Sequence, residues 1–334
     1  MPTITDIARE TGLSIASVSN ALNGKGRVSA KNRRLVIDTA LRMGYDMGRV
    51  RGAERRRSVC VMLEHIASTF CYRIAQGISH AADPGYAVTF ADLNVLDGGG
   101  PPDPDAGSMR RLLEQRVAQL DPSTVGVIYV SQYPRDLTGI MPKLSIPVVY
   151  AYGYAKGAPC VNTDDQQGAY DAVAHLIGEG RRRIAMISGP IDSMPMTKRF
   201  SGYQRALIDA RIPVDLSLVR LGDWDVGRSS ARMDELLALK ERPDGIFCQS
   251  DHIAVGVMRA IRAAGLRVPG DIAVVGFDDN EFAALLDPPL TTVRQPLAQI
   301  GEKAFALLKG ILEDREQDET DVLLKAELIR RASS

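Results

Sequence analysis

The sequence is poor in the residues that metal and redox centres use. Four cysteines and four histidines are spread over 334 residues. None forms a C-x-x-C, an H-E-x-x-H or another paired spacing that would bring two ligands onto one helix face. The cysteines stand mostly in apolar runs, which is typical of small core residues in a reducing compartment. We therefore expect no metal, no disulfide and no cofactor.

Long hydrophobic runs are also lacking. No apolar stretch approaches the roughly 20 residues that span a bilayer, and the N-terminal "MPTITDIARE" has no signal-peptide h-region. A composition of 45% hydrophobic and 25% charged residues is typical of a soluble globular protein. We expect a cytoplasmic protein without membrane contact, and its length predicts two or three folding units.

The sequence motifs of common enzyme classes are missing as well. There is no G-x-S-x-G elbow, no G-x-x-x-x-G-K-[ST] phosphate loop and no G-x-G-x-x-G that opens a helix. The glycines of "DGGGPPDPDAG" stand among prolines and acidic residues, which would repel a phosphate. We therefore expect a protein that is not an enzyme and that acts by binding.

An excess of positive charge is lacking in the body of the chain and is found only at its start. Residues 1–58 hold 12 Lys and Arg against 5 Asp and Glu, whereas the remainder holds 29 against 36. Five arginines lie within "GRVRGAERRRS" alone. A solvated linker is the ordinary interpretation of such a run. A basic segment on an acidic body also indicates a polyanionic partner for that segment.

The first 45 residues have the pattern of three short helices. Thr3 and Asp6 form a capping-box-like start for "TDIARE", and a "TGL" turn separates it from "SIASVSNALN", which Ser14 can cap. Ser29 can cap a third helix that Gly44 ends. Two short helices joined by a glycine turn are typical of helix-turn-helix proteins, which present the second helix to the DNA major groove. A small three-helix protein-binding module is the alternative, and the basic charge favours DNA.

The rest of the chain alternates between strand-like and helical patterns. Eight short β-branched runs, from "VCVML" to "IAVVGFDD", are separated by amphipathic stretches of helix length. This alternation predicts parallel sheets covered by helices, which bind ligands at the carboxyl ends of their strands. Polar or aromatic residues follow several of these runs: Asp92, Asp223, Trp224, Ser250, Asp251, Asp278 and Asp279. Each alone could merely cap a loop, but together they predict a cleft.

The segment "TITDIARETGLSIASVSNALNGKGRVS" resembles the headpiece of the lactose-repressor (LacI/GalR) family. The resemblance continues through "VNTDDQQGAYDAVAHLIGEGRRRIAMISGP", "KRFSGYQRAL" and "VVGFDDNEFAALLDPPLTTVRQP". It implies an all-α helix-turn-helix headpiece followed by an α/β effector domain with two lobes of parallel sheet, like a periplasmic binding protein. The implied domains are a headpiece at 1–45, a basic hinge at 46–58 and an effector and dimerisation domain at 59–334. Its lobe 1 covers about 59–163 and 292–322, and lobe 2 about 164–291 and 323–334.

The resemblance also implies which residues contact DNA. In the headpiece they are Thr5, Ser14, Ile15, Ala16, Ser17, Ser19, Asn20, Asn23 and Ser29. In the hinge, the run of positive charge points instead to Arg55, Arg56 and Arg57, together with Val50. Asn20 stands where the family usually has arginine, and Asn pairs with adenine. The hinge looks about three residues short, with Glu54 where a minor-groove leucine is expected. We therefore expect the hinge to act mainly through phosphates, with Val50 as the candidate for insertion.

The implied effector contacts are Phe70, Tyr72, Arg199, Trp224, Asp251 and Asp278. Arg199 lies in the R-x-x-G-Y motif and would clamp a hydroxyl or carboxylate. "ASTFCYR" replaces the usual N-P-F-F, so Phe70 and Tyr72 match only approximately. The resemblance implies a repressor that binds operator DNA and a sugar-like effector, with a purine or nucleoside as the alternative. No heptad helix follows "LLKAELIRRASS", so we expect a homodimer. A periplasmic-type solute receptor is the rival from another class.

Overall fold

The computed structural model describes residues 2–23, 28–45, 57–95, 106–191, 193–317 and 319–334. The chain divides into two compact units, Met1–Ser58 with Pro84–Ala87, and Val59–Asp83 with Val88–Ser334. No helix in this described part of the chain combines the length and the apolar character needed to cross a bilayer.

The N-terminal unit contains three helices, α1 (Ile4–Thr11), α2 (Ile15–Leu22) and α3 (Ala30–Arg42). Local sequence sets their ends. Thr3 and Asp6 form a complete capping box, and the hydroxyls of Ser14 and Ser29 accept hydrogen bonds from backbone amides in the first turns of α2 and α3. Gly12 ends α1 with a left-handed φ of 67°, which glycine adopts without steric cost. A small apolar core joins the helices: Ile7, Ala8, Val18, Ala21, Val36 and Ala40.

The second unit contains two six-stranded sheets, and each is the centre of a lobe. The first sheet has the strand order β11-β5-β4-β3-β1-β2. Its strands are β1 (Ser58–Leu63), β2 (Ala87–Asp92), β3 (Thr124–Val130), β4 (Val148–Ala151), β5 (Cys160–Thr163) and β11 (Asp321–Leu324), and its helices are α4 (Thr69–Ala81), α5 (Ala106–Ala118) and α10 (Leu297–Leu312). Helices α4 and α10 approach so closely at Gly77 that a Cβ there would lie 1.8 Å from the Ala298 carbonyl oxygen.

The second sheet has the strand order β12-β10-β9-β8-β6-β7. Its strands are β6 (Ile184–Ile187), β7 (Val219–Arg220), β8 (Gly245–Cys248), β9 (Ala273–Asp278), β10 (Thr291–Arg294) and β12 (Glu327–Ile329), and its helices are α6 (Asp165–Gly178), α7 (Met194–Asp209), α8 (Val226–Leu237) and α9 (Asp251–Ala263). Strands β6 to β10 pair in parallel, and β12 is antiparallel to β10. Separate apolar clusters fill the two faces of this sheet. The predicted fold class is confirmed.

The chain crosses between the lobes three times, after β5, after β10 and between β11 and β12. The first crossing follows Thr163, where lobe 1 was expected to end, and the second and third lie two or three residues from the expected boundaries. Because β10 pairs along its whole length with β9, residues 292–294 belong to the second sheet and not to lobe 1. Because β11 pairs with β5, residues 323 and 324 belong to the first sheet and not to lobe 2.

Candidate functional sites

Helix α2 has one buried side and one exposed side, as its sequence predicts. Val18 and Ala21 are buried in the N-terminal core, whereas the opposite side is exposed at Ser14, Ile15, Ala16 and Asn20. Ile15 is 54% exposed, although burying its side chain would be favourable by roughly 1.5–3 kcal/mol. An exposed apolar and amide face on a firmly capped helix is suited to contacts with base edges. Thr5 and Ser29 are exposed as well.

Three of the polar residues implied for DNA contact, Ser17, Ser19 and Asn23, are only half-exposed and are already hydrogen-bonded within the helix. The hydroxyls of Ser14 and Ser17 lie 2.9 Å apart. The Asn23 side-chain amide donates to the Ser19 carbonyl at 2.8 Å and to the Ser19 hydroxyl at 3.2 Å. Asn23 therefore caps the end of α2, and a DNA contact would have to compete with these bonds.

Of the four hinge residues, Val50, Arg55 and Arg56 lie outside the described residues. Arg57 is exposed, and its guanidinium lies 5.3 Å from the centre of the Tyr86 ring. This distance is within the range of a cation–π contact, worth about 0.5–1 kcal/mol at an exposed site.

A buried polar cluster surrounds Arg199, which helix α7 carries at the edge of the second sheet. Its Nε and Nη2 each lie 2.8 Å from Asp165 Oδ1, and its Nη1 donates to the carbonyl of Gln249. The same nitrogen lies 3.7 Å from Asp278 Oδ1, and the guanidinium is stacked 3.7 Å above the Phe277 ring. Only 3% of Arg199 is exposed. We call these five residues the Arg199 cluster.

Burial dominates the electrostatics of the acidic residues at this site. It raises the pKa of Asp278, and the charge of Arg199 opposes this shift. Burial also raises the pKa of Asp251, and the negative charge of Asp278 raises it further. Asp251 is held by the Thr292 hydroxyl on Oδ1 and by the Asn280 amide, which donates to Oδ2 at 2.7 Å. Each raised pKa favours the protonated, uncharged form of the carboxyl group.

Gln295 links the Arg199 cluster to the crossings between the lobes. Its Nε2 donates to Asp278 Oδ1 at 2.7 Å, and its Oε1 accepts from the Thr163 hydroxyl at 2.8 Å. Thr163 ends β5 immediately before the first crossing, and Gln295 lies in the second crossing. The hydrogen bonds of Asp278 therefore extend to two of the three segments that join the lobes.

The first lobe contributes an aromatic pair. The Phe70 and Tyr152 rings stack with their centres 5.6 Å apart and a 12° angle between their planes. Tyr152 is 2% exposed and has a left-handed φ of 63°. Burial raises the pKa of its hydroxyl, and the negative charge of Asp278 raises it further. The hydroxyl of Tyr152, in the first lobe, thus interacts electrostatically with Asp278, in the second lobe.

Trp224 packs against Gly189 at the end of β6. A Cβ on Gly189 would lie 2.0 Å from the indole ring, so only glycine allows this contact. The Gly189 amide donates to the Gln249 side chain at 3.2 Å, and the Gln249 carbonyl accepts from Arg199. Gln249 therefore supports both Arg199, through its carbonyl, and the glycine against which Trp224 packs, through its side chain.

The structure does not bring every expected residue to this site. Tyr72 is 53% exposed, and its hydroxyl accepts from Gln76 on the same helix. Because Tyr72 follows Phe70 by two residues on α4, the two side chains lie about 200° apart around the helix. Asp92 accepts from two loop amides, Asp223 pairs with Arg228, and Ser250 caps α9. Asp92, Asp223 and Ser250 thus satisfy loop or helix-end groups, which was the alternative to a ligand contact for each of them.

Five residues of the site were not predicted from the sequence: Tyr152, Asp165, Gln249, Phe277 and Gln295. Each lies within two residues of the carboxyl end of a strand, namely β4, β5, β8, β9 and β10. For Tyr152, Gln249 and Phe277, which lie at the ends of strands that the sequence predicts, this position was the signal that could have found them. Within the described ranges, no group of three or more His, Cys, Asp or Glu side chains could hold a metal ion.

A second buried carboxylate lies in the first lobe. Glu64, which is fully buried, accepts hydrogen bonds from the Tyr129 hydroxyl at 2.6 Å, the Ser131 hydroxyl at 3.0 Å and the Gln132 amide at 2.8 Å. Its ion pair with Arg135 has an N···O distance of 2.6 Å. These donors satisfy the carboxylate within the protein, which is how a buried charge is tolerated.

Comparison with known proteins places this architecture. The model of the bacterial regulatory proteins of the lacI family matches residues 3–46, and that of the periplasmic binding protein-like domain matches residues 173–334. The chain is 31% identical to the HTH-type transcriptional regulator RegA of Clostridium saccharobutylicum, over 99% of this chain and 98% of the relative.

Solved structures agree with these matches. The transcriptional regulator CelR in complex with cellobiose is similar, with a TM-score of 0.67 and 28% identity over all of both chains. The lac repressor bound to ONPG in its repressed state has a TM-score of 0.79 and 25% identity over 100% of this chain and 99% of the repressor. A helix-turn-helix unit and a two-lobed ligand-binding body define a regulator of transcription. The chain belongs to the lacI family of bacterial regulatory proteins.

Proposed function

We propose that this protein is a dimeric, cytoplasmic repressor whose affinity for operator DNA is set by a small polar effector bound between the lobes. The headpiece at 1–45 binds DNA, the hinge at 46–58 connects the headpiece to the body, and the body at 59–334 binds the effector and dimerises. It acts by binding, without catalysis or a cofactor. The observation that carries this proposal is the Arg199 cluster, whose hydrogen bonds reach the lobe crossings through Gln295. A ligand there has differential contact with two arrangements of the lobes, which regulation requires.

The charges at the site support a neutral effector rich in hydroxyl groups. Two buried carboxyl groups, those of Asp165 and Asp278, lie against one buried guanidinium, that of Arg199, and a third buried carboxyl group, that of Asp251, is close enough to Asp278 for the two charges to interact. An anionic ligand would have to share one guanidinium with these carboxyl groups and would raise their pKa values further, whereas sugar hydroxyls can donate to a carboxylate or accept from a protonated carboxyl group. The CelR structure contains cellobiose, which is a ligand of this kind. The stacked Phe70 and Tyr152 rings favour the second candidate, a planar purine or nucleoside.

Thermal-shift measurements on the full chain test the effector class. We expect cellobiose or another neutral sugar to raise the melting temperature, because a ligand that binds only the folded state stabilises it. Glucose 6-phosphate and other sugar phosphates should leave it unchanged. A shift with adenosine or cytidine alone would select the second candidate, and a shift with the phosphates alone would contradict the charge argument.

Arg199→Met should abolish the effect of the effector on operator binding and leave effector-free DNA binding unchanged. The matched control is Arg205→Met, because Arg205 lies on the same helix, exposed, 3.9 Å from Asp209. Operators selected from random DNA and titrated with each variant provide the measurement. A normal response in Arg199→Met would remove Arg199 from the effector site.

Asn20 is proposed to read adenine from the exposed face of α2. We expect Asn20→Arg to shift the selected operator from A·T towards G·C at one position of each half-site, because arginine pairs with guanine. Identical preferred sequences for the wild type and the variant would show that Asn20 contacts only the backbone.

The hinge arginines are proposed to hold phosphates. Changing Arg55, Arg56 and Arg57 together to Ala should flatten the dependence of log affinity on log salt and weaken specific and random DNA alike. Val50→Ala, tested on operators altered only at the central base pairs, distinguishes this from insertion. A loss of central discrimination in Val50→Ala, with an unchanged salt slope in the arginine variant, would favour an intercalating hinge.

A further inference from the structure

The end of β9 makes an unusual corner. Asp278 and Asp279 both have positive φ values, 112° and 53°. Side chains with a Cβ adopt this region rarely, and a φ of 112° lies outside the small left-handed region that aspartate tolerates best. Such a conformation persists only where the surrounding structure enforces it.

This corner sets the geometry of two of the three buried acidic residues at the candidate effector site, Asp278 and Asp251. It places Asp278 Oδ1 2.7 Å from Gln295 Nε2 and 3.7 Å from Arg199 Nη1. The next backbone amide, that of Asn280, donates to Asp251 Oδ2 at 2.7 Å. A change in the backbone here would therefore displace one carboxylate and remove a hydrogen bond from the other.

Two arginines outside the Arg199 cluster, Arg294 and Arg331, hold the corner through the side chain of Asp279. The Asp279 carboxylate, in a residue that is 7% exposed, accepts from Arg294 Nε on Oδ2 and from Arg331 Nη2 on Oδ1, each at 2.7 Å. Arg331 Nη1 also donates to the Leu290 carbonyl at 2.8 Å. Arg331 thus joins the corner to the segment that leads into β10.

Arg331 is itself fixed by the residues around it, 331–334, which we call the arm. Its backbone amide donates to the Thr291 hydroxyl at 2.9 Å. Ser333 is fully buried: its carbonyl accepts from the Val274 amide at 2.7 Å, and its hydroxyl accepts from the Thr291 amide at 2.8 Å. The arm is therefore bonded to the starts of both strands whose far ends carry the corner and Gln295.

We propose that Arg331 is a positioning residue for the effector site: through Asp279 it holds the left-handed corner that aims Asp278 at Arg199 and supplies the amide that binds Asp251. The inference rests on the proposed function of the Arg199 cluster as an effector site. Arg331 makes no contact with Asp278 or Asp251 among the hydrogen bonds described, so its influence passes through the Asp279 side chain and the backbone.

Amide hydrogen exchange of the full chain tests this without a ligand. In Arg331→Ala we expect the Asn280 amide to exchange at least about tenfold faster relative to the Phe247 amide of β8, because a charge-assisted bond to the corner is lost. Arg331→Lys, which keeps the charge, should show a smaller increase. The matched control is Arg330→Ala, at the exposed neighbouring arginine, and it should match the wild type.

The outcomes separate the two proposals. If the Asn280 amide gains no more exchange than the Phe247 amide, Arg331 contributes only global stability and the positioning role is refuted. Should Arg331→Ala fail to fold, Asp279→Asn leaves the arm in place and must show the same local increase. A neutral sugar that stabilises the wild type should bind Arg331→Ala about tenfold more weakly, with effector-free operator affinity unchanged; undiminished sugar binding would overturn the proposal. A loosened corner in a protein that binds none of the tested ligands would contradict the effector function alone.

Discussion

Gly189→Ala is expected to displace Trp224, the single tryptophan of the chain. The new Cβ would lie 2.0, 2.3 and 2.5 Å from three carbon atoms of the indole ring. Carbon atoms in contact lie about 3.5–4.0 Å apart, so the ring must retreat by roughly 1.5 Å. Overpacking of this kind costs about 1–3 kcal/mol. Trp224 is only partly buried, so the ring has room to move towards solvent.

Tryptophan fluorescence, excited at a wavelength that tyrosine does not absorb, measures this displacement directly, because the chain has no second tryptophan. We expect emission at longer wavelength, stronger quenching by acrylamide and a free energy of unfolding lowered by about 1–3 kcal/mol in urea. The control is Gly178→Ala at the end of α6, where an added Cβ meets nothing within 4 Å. That variant should be neutral or more stable by up to about 1 kcal/mol. Unchanged emission and stability in Gly189→Ala would refute the packing described for Trp224.

The strands that the sequence predicted are those with apolar, β-branched runs, and all eight occur in the structure. Periodicity did not reveal four strands, β5, β10, β11 and β12. Two of them, β5 ("CVNT") and β10 ("TTVR"), are four residues long and at least half polar. Their extended conformation comes from pairing on both sides, of β5 with β4 and β11 and of β10 with β9 and β12. Pairing partners distant in sequence override a weak local pattern.

The sequence could predict only those site residues that lie at the ends of recognisable strands or in family motifs. Arg199 and Asp278, two of the residues that the resemblance implied for effector contact, lie 3.7 Å apart between Nη1 and Oδ1, whereas the carboxylate partner of Arg199 was missed. Asp165 precedes Arg199 by 34 positions, and only the packing of α6 on α7 brings the two together. The orientation of Tyr152 depends on a left-handed φ that no composition pattern indicates.

Two further variants test the buried acidic residues by urea unfolding. Glu64→Ala removes the carboxylate shared by several donors and should cost about 3–5 kcal/mol, whereas Glu114→Ala, in an exposed pair, should cost less than about 1 kcal/mol; equal losses would contradict the role of Glu64 as a buried anchor. Asp251→Asn tests the raised pKa of Asp251, which comes from burial and then from the charge of Asp278. A carboxyl group with a pKa higher in the folded than in the unfolded protein binds more protons when folded. Its contribution to stability is therefore complete below the unfolded value and is lost as the pH rises through the folded value. The free energy of unfolding of the wild type should thus fall between pH 5 and pH 8 relative to that of Asp251→Asn, in which no charge can form at this position. Groups distant from position 251 contribute alike to both proteins, so the difference between the two curves reports Asp251 together with Asp278, whose charge interacts with it. A difference that stays constant over this range would show that the Asp251 carboxylate is already fully ionised at pH 5, with Asn280 and Thr292 outweighing its burial.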